Sequence, residues 1–246
     1  MIPWLRPGEA FPPVTDALRF PNGLLCAGGP VSAERLLEAY PRGIFPWYGP
    51  DEPVLWWSPD PRMVLMCAEF KVSRSLRKRL RAIAAVAPDD AEGWQLRLDT
   101  AFADVMRACA QPRPDQEGTW ISEPIVAAYS ALHARGLAHS VEVWCGGALI
   151  GGLYGVSLGR MFYGESMFTR ATDASKCALA ALVRLLLENE VPVIDCQQNT
   201  SHLASLGGRE IPRAQFLAHV AEATRAAPVD WQRYAASPLN RLLLAY

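Results

Sequence analysis

Apolar residues recur along most of this chain at spacings that identify the elements they belong to, and after Pro61 the pattern is regular. Met63–Cys67 reads as a short apolar strand. Lys71–Ala87 then reads as a helix with Val72, Leu76, Leu80 and Ile83 on one face. Gln95–Leu98 predicts another strand and Asp99–Ala110 a helix, with Phe102, Val105, Met106 and Cys109 at helical spacing. Ser122–Arg135 repeats that pattern with Ile125, Ala128, Tyr129 and Leu132 inward, Ser122 as cap and Gly136 as stop. Three consecutive strands, Ser140–Trp144, Ala148–Val156 and Arg160–Phe168, are joined by Gly146-Gly147 and by a turn around Gly159. A long helix over Ala174–Glu190, a buried strand over Val193–Gln197 and two helices over His202–Leu206 and Arg213–Arg225 follow. An antiparallel meander, then a helix and a further strand, predicts an α+β, mixed-sheet fold.

The first 61 residues read differently. They hold 12 of the 20 prolines and four of the eight tryptophans, a density that excludes long helices. One helix fits, Ser32–Tyr40, with Ser32 as N-cap and Leu36, Leu37 and Tyr40 on one face. The rest predicts turns and short strands. Residues 1–61 are therefore expected to form a small irregular N-terminal domain and residues 62–246 a larger one.

Composition narrows the function classes. With 50 % hydrophobic and 20 % charged residues among 246, the chain is long enough to bury a sizeable core and is not of disordered type. No apolar run approaches the roughly 18 residues of a membrane span, so no membrane partner is expected. The first thirteen residues hold four prolines and no apolar stretch, which argues against a secretory leader. Six cysteines, separated by 19 to 42 residues, show no zinc or C-x-x-C spacing. They read as reduced thiols of a cytoplasmic protein that holds no metal. No glycine pattern supports nucleotide triphosphate binding.

A net charge of −1 excludes a uniformly basic nucleic-acid binder, but Lys71–Arg81 holds six cations and no acid. Arg74, Arg77, Lys78 and Arg81 fall at i, i+3, i+4 and i+7, opposite the apolar face. That stripe suits either a phosphate backbone or a solvated helix face. Period two in Val193–Gln197 puts Asp195 and Gln197 on one face, with Ile194 and Cys196 on the other. Two polar groups in an apolar strand need partners, and Asp195 is expected to accept from the Gln197 amide, freeing its oxygen for a ligand. Glu165 is a carboxylate amid aromatics and sulfur. Each suits a buried structural hydrogen bond or a ligand contact. Leu179, Leu182 and Leu186 share one face of the long helix, near Leu153, Phe162 and Ile194, as ordinary core or as the wall of a pocket. A thiol–base pair of Cys196 and His202 is disfavoured, because Cys196 is expected to face away from Asp195 and Gln197.

Several segments together carry a resemblance. Arg42-Gly43-Ile44-Phe45-Pro46-Trp47 and Leu55-Trp56-Trp57-Ser58-Pro59-Asp60-Pro61-Arg62 resemble the N-terminal signature of bacterial leucyl/phenylalanyl-tRNA–protein transferases. Glu117-Gly118-Thr119-Trp120-Ile121, Gly151-Gly152-Leu153-Tyr154-Gly155, Tyr163-Gly164-Glu165-Ser166-Met167-Phe168, Ala174-Ser175-Lys176, Ile194-Asp195-Cys196-Gln197 and His202-Leu203-Ala204-Ser205-Leu206-Gly207 continue it in order. Gly208 departs from it, alanine being common there. The resemblance implies an enzyme that moves Leu, Phe or less readily Met from aminoacyl-tRNA to proteins with N-terminal Arg or Lys, marking them for degradation. It also implies a small N-terminal domain on an acetyltransferase-like (GNAT) domain working without coenzyme A or other cofactor. Carried over by position, it makes Asp195 and Gln197 the catalytic pair, Glu165 a substrate-binding acid, and Trp47 and Trp120 contacts of the 3′-terminal end. Leu153, Phe162, Leu179, Leu182, Leu186 and Ile194 become the aminoacyl pocket, and the Arg74–Arg81 stripe a tRNA contact. Other readings are a relative with a small-molecule, lipid or water acceptor, and a non-catalytic module that grips an RNA 3′ end.

Overall fold

A computed structural model describes residues 2–87, 90–111, 121–235 and 238–246. Four short strands near the N-terminus, β1 (Trp4–Leu5), β2 (Leu24–Gly28), β3 (Phe45–Pro46) and β4 (Leu55–Trp57), form a sheet in the order β1-β2-β4-β3. The helix α1 (Ala33–Ala39) sits between β2 and β3, and the Ser32 hydroxyl caps it by accepting from the Arg35 amide at 3.2 Å. A seven-stranded sheet holds β5 (Arg62–Met66), β6 (Gln95–Leu98), β7 (Ala138–Cys145), β8 (Ala148–Leu158), β9 (Met161–Thr169), β10 (Val193–Gln197) and β11 (Arg209–Ile211). Its order is β11-β5-β10-β9-β8-β7-β6, antiparallel except for the β9–β10 pair. A parallel pair needs a crossover, and α5 (Ala174–Glu188) supplies it. The α+β reading therefore holds.

Alternation along the strands divides the core between the two faces of this sheet. Val64, Tyr154, Tyr163 and Val193 face a cluster shared with α3 (Phe102–Cys109), α4 (Glu123–Ala134) and the N-terminal residues Tyr40, Phe45 and Trp56. Leu65, Leu153, Phe162 and Ile194 face the other cluster, with α2 (Arg74–Ala84), α5 and the C-terminal turns around Leu239–Ala245. α5 runs across β7, β8 and β9 and touches α2 and the C-terminal turns as well. Eleven of its 15 residues are buried, so it is enclosed nearly all round rather than on one stripe.

Differences from the sequence reading have local causes. The helix expected from Lys71 starts at Arg74, because the Ser73 hydroxyl accepts from the Leu76 amide at 3.1 Å while the Lys71 amide bonds to the Leu206 carbonyl. The helix expected from Asp99 starts at Phe102. Asp99 sits at φ 59°, its carboxylate accepting from the Ser140 amide and paired with His139. β11, α6 (Ser201–Ser205), α7 (Arg213–Ala223), α8 (Gln232–Ala235) and the C-terminal turns complete the chain. Those turns were not anticipated. Asn240 pins them, accepting from the Leu96 amide at 2.8 Å and donating to the Ile83 and Trp94 carbonyls.

Candidate active site

β9 and β10 pair at only two positions, Ile194 with Phe162 and Asp195 with Tyr163. Beyond them β9 continues along β8, while β10 bulges between Asp195 and Gln197 and Gln197 adopts φ 57°. A cavity of about 430 Å³ lies at this splay. Leu65, Leu153, Phe162, Leu179, Leu182 and Ile194 form its apolar wall. Phe45, Pro46 and Trp47 border it from the N-terminal sheet, and Thr200, His202 and Leu203 from the start of α6. Gly155 permits the close packing behind Phe162, since a Cβ there would meet that ring at 2.5 Å.

Glu165 and Gln197 also line this cavity, and Glu165 is its sole carboxylate among the described residues. The Gln197 Nε2 donates to Glu165 Oε1 at 3.2 Å. The Tyr40 hydroxyl lies 2.7 Å from Oε1 and the Tyr129 hydroxyl 3.0 Å from Oε2, while the two tyrosine oxygens lie 2.6 Å apart. Three oxygen–oxygen contacts need three protons for each to be a hydrogen bond, and two phenols supply only two. A protonated Glu165 supplies the third. Electrostatics point the same way. Burial pushes Glu165 up to about 7, outweighing the lowering effect of the two hydroxyls. Burial and the neighbouring Glu165 hold both tyrosines well above the ordinary phenol range, hence neutral. Tyr154 lines the same cavity, and its buried hydroxyl has no hydrogen-bond partner among the described residues.

Asp195 is fully buried behind the cavity wall. Arg62, equally buried, grips it with Nε to Oδ1 at 2.8 Å and Nη2 to Oδ2 at 2.7 Å. The third guanidinium nitrogen donates to the Gly43 carbonyl at 3.0 Å. Gly43 stands at φ 70°, and a Cβ on it would meet Leu217 Cδ2 at 2.6 Å, so this position needs glycine. Asp195 Oδ1 also accepts from the Gln197 backbone amide at 3.0 Å.

The structure thus brings Glu165, Gln197, Trp47, Leu153, Phe162, Leu179, Leu182 and Ile194 to one cavity. Leu186 does not join them. It lies one turn beyond Leu182 on α5, fully buried in the core and off the cavity wall. The expected link between Asp195 and the Gln197 side chain is also corrected. Asp195 holds the backbone amide of Gln197, and Glu165 holds its side chain. The bulge breaks period two, so Cys196 and Gln197 both reach the cavity while Asp195 does not. Burial and the adjacent Asp195 push the Cys196 thiol far up, which keeps it neutral and a poor nucleophile. Trp120 lies outside the described residues. Trp47 is 39 % exposed at the rim, its ring edge-on to Trp57 at 5.6 Å. Arg74, Arg77, Lys78 and Arg81 are exposed on α2, away from this cavity. Sequence reasoning missed Arg62, Tyr40, Tyr129 and Tyr154. The signal available was chemical: phenols on inward faces need buried acceptors.

Residues 64–221 match the family described as leucyl/phenylalanyl-tRNA protein transferase, and residues 29–60 match its N-terminal domain. A protein named leucyl/phenylalanyl-tRNA–protein transferase from Bordetella bronchiseptica is 59 % identical over 94 % of this chain and 91 % of its own length. One of the same name from Paraburkholderia xenovorans is 60 % identical over 94 % of both chains. Among solved structures, that of L-PGS from Bacillus licheniformis matches at a TM-score of 0.36 and 12 % identity, over 74 % of this chain and 57 % of that one, too low to define the fold. Matches of that extent and identity show that the chain belongs to the leucyl/phenylalanyl-tRNA–protein transferase family.

Proposed function

We propose that this chain moves a leucyl or phenylalanyl group, and less readily a methionyl group, from its tRNA to the N-terminal Arg or Lys of an acceptor protein. The new peptide bond marks that protein for N-end-rule degradation in the cytoplasm. The observation that carries this reading is a cavity lined both by an apolar wall and by the hydrogen-bonded Glu165–Gln197 pair. An apolar wall offers no partner to a charged donor side chain, which desolvation then penalises. The wall residues Leu153, Phe162, Leu179, Leu182 and Ile194 receive the donor side chain. Trp47 and Trp120 flank the 3′-terminal end, and the α2 stripe of Arg74, Arg77, Lys78 and Arg81 lies along the acceptor arm.

An aminoacyl ester is already activated and an α-amino group has a pKa near 8, so positioning supplies much of the acceleration and no cofactor is needed. The amine nitrogen attacks the ester carbonyl carbon. The N–C bond forms, the C–O bond to the ribose breaks, and the amine proton ends on the departing ribose oxygen. With Nε2 held by Glu165, the Gln197 Oε1 is the end that accepts from the attacking N–H. Glu165 draws the cationic acceptor end, whose approach favours its ionised form. In this reading residues 1–61 form an N-terminal domain bordering the cavity and residues 62–246 a GNAT-like catalytic domain.

A donor series tests the reading. Leu-tRNA and Phe-tRNA are expected to serve as donors to a protein beginning with Arg, and Asp-tRNA is not. Equal use of Asp-tRNA would overturn the role given to the apolar wall.

A further inference from the structure

The Gln197 side chain reaches the cavity because the backbone turns at φ 57°, a conformation that β-sheet pairing does not supply and that non-glycine residues rarely adopt. Something must hold that turn. The Gln198 amide closes the turn on the Cys196 carbonyl at 2.7 Å, and the side-chain contact that ties it to the sheet is the Gln197 amide to Asp195 Oδ1 at 3.0 Å, Asp195 being itself fixed by both prongs of Arg62. Arg62 has no freedom to follow a movement of its partner. Its guanidinium lies over two rings, 4.7 Å from the Phe45 centroid and 4.6 Å from that of Phe216, and its remaining nitrogen is tied to the Gly43 carbonyl. Strands on both sides of β5 hold it too, Arg62 pairing with Ile211 while Met63 and Val64 pair with Gln197 and Asp195.

Resting on the aminoacyl-transfer reading, we propose that Arg62 is a positioning residue of that reaction. Through Asp195 it fixes the bulge that aims the Gln197 side chain, and Asp195 serves as a fixed anion rather than as the acceptor of the amine proton. Asp195 has no exposed surface and no place on the cavity wall, and its two oxygens already take three N–H donors. A proton arriving there would have to displace a prong of the fork, whereas an anchor keeps all three bonds throughout the reaction.

The test compares wild type, Arg62→Lys, Asp195→Asn and the double variant Arg62→Gln/Asp195→Asn, with rates expressed per folded molecule. Arg62→Lys keeps the charge and loses the two-pronged geometry. It is expected to lower kcat on the order of 10- to 100-fold with KM for aminoacyl-tRNA held within about twofold, as for a small misplacement of a reacting group. Asp195→Asn leaves a buried guanidinium without its counter-charge, and the double variant removes both charges while retaining an acceptor for the Gln197 amide. The double variant is expected to recover kcat about tenfold over Asp195→Asn alone. A double variant no faster than Asp195→Asn would make Asp195 the proton acceptor and overturn the proposal. Should the double variant not fold, Arg62→Lys at full kcat overturns it instead. Wild type that transfers nothing from Leu-tRNA refutes the transfer reading itself, an outcome separate from either variant result.

Discussion

Replacing Glu165 by Gln isolates the charge of the group at the centre of the cavity network. The amide keeps the shape and an N–H that donates toward the tyrosine oxygens, so it mimics the protonated acid. In the wild type, burial raises Glu165 from 4.5 to about 7. At about 1.4 kcal/mol per unit that corresponds to roughly 3 kcal/mol, and about 1–3 kcal/mol once partial solvent access at this half-buried residue is allowed for. The sign follows from proton counting. Between about pH 4.5 and 7 the unfolded chain has Glu165 ionised while the folded chain keeps it protonated, so the folded state binds more protons. The stabilisation is therefore complete below about pH 4.5 and is lost as pH rises through about 7. Glu165→Gln has nothing to lose across that window. Urea unfolding of both proteins at intervals from about pH 4.5 to 8 should show the wild type weakening relative to the variant by about 1–3 kcal/mol. Parallel stability curves would refute the raised pKa and, with it, the three-proton account of the Tyr40–Tyr129–Glu165 triangle.

Other perturbations separate wall, core and surface. Phe162→Ala, at a ring 1 % exposed, should cost about 3–5 kcal/mol of stability and weaken or broaden donor use. Unchanged Leu and Phe transfer in that variant would remove Phe162 from the donor site. Leu186→Ala should cost about 2–5 kcal/mol in thermal or urea unfolding with donor preference unaltered, because Leu186 is off the cavity wall. Neutralising Arg74, Arg77, Lys78 and Arg81 should leave stability nearly unchanged, raise KM for aminoacyl-tRNA and reduce the salt slope by about one unit per lost phosphate contact. An unaltered slope would make the stripe a solvated face.

Elements with strong periodicity were legible in the sequence. α4, the β7–β8–β9 meander, α5 and β10 stand where apolar spacing put them, because each buries a face whose period its own residues set. Starts of helices were less legible where a side chain far along the chain competes for the backbone. Asp99 is the example, its carboxylate engaged by Ser140 and His139 on a distant strand. Within the cavity, residue identities pointed to Glu165 and Gln197, but their connection did not. A bulge after Asp195 cancels the alternation on which the reading of that strand relied. Arg62 was invisible for a related reason: a cation in a strand signals nothing until the partner 133 positions away is seen to close on it. Leu186 shows the converse, where helical spacing places a residue on the right face but cannot say where along that face a cavity ends.

The most direct test is transfer of labelled leucine from Leu-tRNA to a model protein beginning with Arg, beside the same protein beginning with Ala. The account predicts label in a new peptide bond on the Arg protein alone. Label on both proteins equally, or loss of the ester without any labelled protein, would contradict it.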